Sequence, residues 1–335
     1  MNRVSWIDNL RGMSILAVIF LHCMIAVNQQ AGHFTAFNEL VNQLLAPVRM
    51  GLMCFVSGLF VASGLRHGQA RYLRNKVSSI LYPFAVWALI YGGLKWTFSA
   101  MANHPQSPLA FALGHLSGGD ITWFLHSLFL FFVLIIPARR LPAALVLTLC
   151  VAGAVLLPPV PPDSLFASFD NLHLNKSLVL FAFFYSADWL VRQDIDIAAF
   201  AQRRTPLLLS LIAFMLLAAF SLWGGLRQHS PWLLPLALPS IPLFVALACR
   251  INLRAVNYVG RHSIVFYLSH YLAIQVCSKL LRHDGHSVWL ADLHFVLAFS
   301  VALALPTALC VLRAKGWFDW LFTLKRKGQP QLAGV

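Results

Sequence analysis

Apolar positions along this chain neither alternate nor recur on a single stripe; they come in long blocks with short polar stretches between them. Blocks of roughly 17–25 apolar residues are what a helix needs to cross hydrocarbon, where each backbone N–H and C=O must be satisfied within the segment. Ten such blocks can be placed, near 10–31, 45–65, 77–98, 121–138, 141–157, 176–192, 205–226, 231–249, 261–281 and 288–313. The pattern predicts an all-α, polytopic membrane helical bundle of about ten transmembrane helices, with a transmembrane domain over 1–313 and a basic tail over 314–335. The first block is long and lacks an Ala-x-Ala-type cleavage site, so it is expected to remain as a span. The polar intervals are too short for an inserted soluble domain. Two of them suit loops over an outward-facing entrance: 99–120, with His104, His115, Gly118, Gly119, Asp120 and no basic residue, and 158–175, stiffened by Pro158, Pro159, Pro161 and Pro162.

Composition agrees. Of 335 residues, 59% are hydrophobic and 11% charged, against roughly 45–50% and 25% for a soluble domain. The net charge of +14 would suit nucleic acid, but the positions of the basic residues exclude that reading. With the N-terminus inside, 19 of the 25 Lys and Arg residues fall on cytoplasmic segments, while Arg49, Lys95, Lys176, Arg227, Lys279 and Arg282 fall on or near the outer side. The positive-inside rule therefore predicts that both termini are cytoplasmic. The six cysteines are scattered singly through apolar sequence and read as small core residues, not as disulfides or metal ligands.

Ionisable groups inside apolar blocks are the candidate chemistry, because their placement in hydrocarbon is costly. His22 is the first. Arg11 precedes it by eleven residues, about three helical turns, so the two share a face about 16 Å apart along the axis. The pair reads either as a membrane anchor with a packing histidine, or as a cytoplasmic cation beside a general base or transient acyl acceptor. Asp8, one turn before Arg11, either orients it or belongs to a helix cap. Arg71 and Arg74, at i and i+3 on a cytoplasmic loop, either set topology or bind phosphate bidentately. Ser57 and Gly58 read as a close helix contact or as the lining of a narrow channel. His126 and His270 are further buried imidazoles, suited to packing, gating or substrate contact; no metal site is expected, since neither paired spacing nor carboxylates accompany them.

Arg11 with His22, Cys54-Phe55-Val56-Ser57-Gly58, Arg71 with Arg74, Trp123-Phe124-Leu125 and Gly260, Ser263, Tyr267, His270 together resemble the motifs of the acyltransferase 3 family of integral membrane acyltransferases. The resemblance runs to about residue 280. Cys54 stands where the family usually has Phe, and Gly51 where proline is common. It implies an O-acyltransferase of the cell inner membrane that moves an acyl group, most often acetyl, from cytoplasmic acyl-coenzyme A (acyl-CoA, acetyl-CoA) to a hydroxyl of a cell-envelope glycan or lipid-linked sugar. It further implies catalysis by His22 and Arg11, donor binding by Arg71, Arg74, Ser57 and Gly58, and acceptor contacts by Trp123 and His270. Many relatives carry a fused extracytoplasmic domain; this chain is expected to act alone or with a separate extracytoplasmic transfer protein. The rival reading is a multi-span transporter or exporter of a glycan or lipid intermediate.

Overall fold

The computed structural model describes residues 5–31, 36–97, 121–157, 171–224, 230–281 and 287–324. The expected outer loops, at 99–120 and over most of 158–175, and the tail beyond Leu324 lie outside the described residues. In chain order the α-helices are α1 (Ser5–Ala31), α2 (Ala36–Gly58), α3 (Val61–Leu65), α4 (Gln69–Lys76), α5 (Tyr82–Thr97), α6 (Trp123–Ala138), α7 (Ala143–Leu156), α8 (Asn171–Arg192), α9 (Ile197–Gln202), α10 (Arg204–Trp223), α11 (Leu234–Ala237), α12 (Ile241–Arg250), α13 (Arg254–Arg261), α14 (Ser263–Leu280) and α15 (Val288–Ala314). No strand occurs among the described residues.

Each apolar block falls on helix, as lipid requires of a backbone without water. Among the described residues, five helical stretches can cross a membrane by length and composition, or six if the pair Pro231–Ala237 and Ile241–Arg250, bent by 48°, is one span. Helices α6 and α7 are apolar but shorter. Two boundaries differ from the hydropathy reading for local reasons. Helix α2 starts well before the apolar block, on a polar turn where Gln43 donates to Glu39 at 3.1 Å. Helix α4 is polar, yet it runs through a π-helical turn (Val77–Leu81) into α5, so the third stretch is helical over Gln69–Thr97.

The chain forms two compact units. The first gathers residues up to Val56 and Gln193–Phe318; the second gathers Ser57–Arg192 and the segment from Asp319. In the first, α1 is central and packs on α12, α13, α14 and α15. Hydrophobicity does not favour one helix over lipid, so close backbone approach has to select the partners. Gly12 and Gly260 provide it. A Cβ on Gly12 would strike the Val256 carbonyl, and one on Gly260 would strike the Asp8 carbonyl. Asn9 adds a contact with the end of α12 by donating to the carbonyls of Ala248 at 3.0 Å and of Ile251, just past the helix, at 2.9 Å. Asn257 donates to Asn9 Oδ1 at 3.1 Å.

In the second unit, α6, α7 and α8 pack around an aromatic core in which the Phe131, Phe132, Phe181 and Phe184 rings lie 5.0–6.2 Å apart. Gly58 allows a close approach to α8, since a Cβ there would meet the Phe184 carbonyl and Ala187 Cβ. Asp188, fully buried, forms an ion pair with Arg139, Oδ2 to Nε 3.0 Å, and accepts from Arg192 Nε at 3.1 Å, and so ties the ends of α6 and α8. Part of the expected tail is folded: Trp87 donates to the Leu321 carbonyl at 3.0 Å, Ser78 to that of Leu324 at 2.9 Å, and Phe322 is buried.

Candidate functional site

In the first unit the Asp8-Asn9-Leu10-Arg11-Gly12 stretch is part of the first turns of α1 and is held by its neighbours. Asn9 and Gly12 serve the helix contacts above. Asp8 is buried and pairs with Arg261 of α13, Oδ2 to Nε 3.5 Å, so a cation on another helix meets the carboxylate. Arg11 is half-buried.

Three turns on, His22 is half-buried and flanked by two rings of α14. His270 lies 5.2 Å away between ring centroids, tilted by 49°, and Tyr271 lies 5.4 Å away, edge to face. His270 is 1% exposed; its Nδ1 lies 2.8 Å from the Phe266 carbonyl one turn back, and its buried Nε2 has no hydrogen-bond partner among the described residues. Tyr267 is 6.2 Å from the His270 ring. The arrangement can hold and move protons: one half-buried imidazole, a second buried beside it and held by the Phe266 carbonyl, and aromatic rings around them.

The other side of α1 is different. Met13, Ala17 and Phe20, about 200° round the helix from Arg11 and His22, line an apolar cavity of about 310 Å³ together with Phe244, Phe299 and Arg49. Arg49 is 3% exposed midway along α2, where Nη1 donates to Asn42 Oδ1 at 2.8 Å and its carbonyl accepts from Ser14. Sequence had set this arginine at or near the outer side.

The remaining predicted residues belong to the second unit. Arg71 and Arg74 are exposed on α4, because Tyr72 between them is the anchor, 1% exposed and edge to face on Phe132 at 6.0 Å. Gly68 allows the turn that delivers this helix, with φ of 91°, and Gly64 leaves room for the Tyr72 ring. Lys76 adds a cation 3.9 Å over the Phe132 ring. Ser57 is half-buried, and Gly58 is committed to the α8 contact. Trp123 opens α6 with Lys176 Nζ 3.4 Å over its ring, and His126 packs on Phe84 at 5.7 Å.

The structure thus brings His22 and His270 together, with Tyr271 as a partner that sequence reasoning did not single out. Other unanticipated groups are Asp188 and His294, the latter buried with Nε2 2.9 Å from the Ser278 hydroxyl. Both stand in apolar helices, so the rule that found His22 applies to them equally.

The protein is an all-helical membrane protein whose first helix presents a cation and an imidazole on one face. The family described as acyltransferase domain, acyltransferase 3, matches residues 4–312. The chain belongs to the acyltransferase 3 family and is a membrane acyltransferase. No curated protein and no solved structure matches it.

Proposed function

We propose that this protein transfers an acyl group, in the first instance acetyl, from cytoplasmic acyl-CoA to a hydroxyl of a cell-envelope glycan or its lipid-linked precursor. The reading takes the chain as about ten spans with both termini cytoplasmic, in the cell inner membrane. The observation that carries it is the family match across 4–312 together with a half-buried His22 set against His270, three turns beyond Arg11.

Roles follow from chemistry. Arg71 and Arg74, both exposed on α4, fork onto the phosphates of the donor nucleotide, and Arg11 steadies the anionic donor at the cytoplasmic mouth. His22 takes the proton of the acceptor hydroxyl as its oxygen bonds to the thioester carbonyl carbon; the C–S bond breaks and the thiolate collects that proton. In a two-step variant a His22 nitrogen bonds to the carbonyl carbon first and carries the acyl group to the acceptor. Ser57 lines the donor side, and Trp123 with its Lys176 contact suits a sugar face on the acceptor side. A separate extracytoplasmic protein fits either as an acceptor of the acyl group or as unnecessary.

The test is acetyl-CoA supplied to the purified full chain in proteoliposomes containing crude envelope glycan, with thiol release and glycan-bound acetate as readouts. The expected outcome is stoichiometric release and acylation, reduced by about 10²-fold or more in His22→Ala with insertion and melting preserved. Glycan translocation without thiol release would instead identify a transporter, and full activity of His22→Ala would remove the catalytic assignment.

A further inference from the structure

His270 has a defined tautomer, and its consequence goes past a contact with acceptor. A carbonyl oxygen can only accept, so the 2.8 Å contact to Phe266 makes Nδ1 the protonated nitrogen. In the neutral ring the lone pair is then on Nε2, which is buried and without a partner among the described residues. Leaving a buried acceptor unmet costs about 1–3 kcal/mol, so a retained one calls for a donor. The His22 ring lies beside His270, 5.2 Å between centroids. That separation leaves room for a hydrogen bond of about 3 Å between facing ring nitrogens, and apo catalytic contacts are commonly looser than those in the working complex.

We propose that His270 is the positioning residue of His22: its Nε2 accepts the N–H of one His22 nitrogen and thereby keeps the other bare for the reaction. The inference rests on the acyltransferase reading above and deepens its site. It gives the two imidazoles unequal parts. Phe266 fixes His270, His270 fixes His22, and only His22 meets the acceptor hydroxyl. When His22 takes the hydroxyl proton, its ring becomes an imidazolium whose second N–H is held by His270 Nε2; when the C–S bond breaks, the same proton passes to the thiolate and His22 is neutral again. His270 neither gains nor loses a proton over the cycle. Tyr271, edge to face on His22 at 5.4 Å, limits the ring's rotation and supports the same orientation.

Three substitutions separate this part from one played through the Phe266 bond, because the amide of Gln occupies the place of Nε2 and that of Asn the place of Nδ1. In proteoliposomes with acetyl-CoA and crude envelope glycan, His270→Ala and His270→Asn are expected to lose kcat by about 10²-fold or more, with the KM for acetyl-CoA within about two-fold of the parent. His270→Gln, whose carbonyl can accept from His22, is expected to recover at least about ten-fold of that loss. If the Phe266 bond were what mattered, His270→Asn would work and His270→Gln would not; if volume alone mattered, a further control, His270→Met, of about the size of Gln but without its amide, would recover as much as His270→Gln; either result overturns the proposal. Should His270→Gln fail to fold, nitrogen-15 histidine spectra of the parent protein decide: a single His22 tautomer supports the pairing, and two comparable tautomers refute it. A parent protein that releases no thiol overturns the acyltransferase reading and this one with it, whereas an active parent indifferent to all three substitutions overturns this one alone.

Discussion

Asp188 has no exposed surface and faces the guanidinium groups of Arg139 and Arg192, each about a quarter exposed. Removing the carboxylate leaves two cations at the ends of α6 and α8 with nothing between them. Breaking a buried pair costs about 3–5 kcal/mol, and the partial access of both arginines to solvent argues for the lower end. Asp188→Ala is therefore expected to lose about 3 kcal/mol, read as a clear drop in melting temperature of the purified protein; melting at the parent temperature would show that the pairing contributes nothing. At this scale the sequence was half legible. A charge or imidazole inside an apolar block can be seen without a structure, and that rule picked out His22, His126 and His270. It applies with equal force to Asp188, Arg49 and His294, which were seen as topology marks or passed over. What sequence could not supply was the partner: Asp8 had Arg11 and a helix cap as its candidate roles, and the structure adds Arg261 from a distant helix.

Single helices were the most legible part of the chain. The apolar blocks fell on helices because length and composition fix a helix locally once water is absent. The departures have local causes too, namely the Glu39–Gln43 turn that lengthens α2 and the buried Tyr72 that makes Gln69–Lys76 a helix although most of its other residues are polar. Helix α4 carries a prediction of its own. With Tyr72 turned in, Arg71 and Arg74 are turned out, which suits the donor-phosphate role proposed for them. Arg71→Ala with Arg74→Ala is expected to raise the KM for acetyl-CoA by about ten-fold or more, equivalent to about 1.4 kcal/mol, while kcat and membrane insertion hold. An unchanged KM would return both residues to setting topology.

For the molecule as a whole, sidedness is the property most directly written in the residues. Nineteen of 25 basic residues gather on one set of segments, and the positive-inside rule turns that excess into an orientation. A membrane-impermeant maleimide added to intact cells is expected to label Ser107→Cys in the 99–120 interval and to spare Gln329→Cys in the tail until the cells are opened. The native cysteines are buried except Cys249, which is half-buried, so the background should be low; the reverse pattern would invert the topology. Sequence alone determined the all-helical class, the positions of the apolar helices, the sidedness expected of them and the cation and imidazole on one face of α1, because each depends on neighbours along the chain or on the bilayer. Only the tertiary structure decided which polar groups meet. That His22 faces His270 and Tyr271, that Asn9 closes the end of α12 and that Arg139 meets Asp188 all depend on which helices approach closely. In lipid, small residues such as Gly12, Gly58 and Gly260 and buried hydrogen bonds make that choice, and neither announces its partner in the sequence.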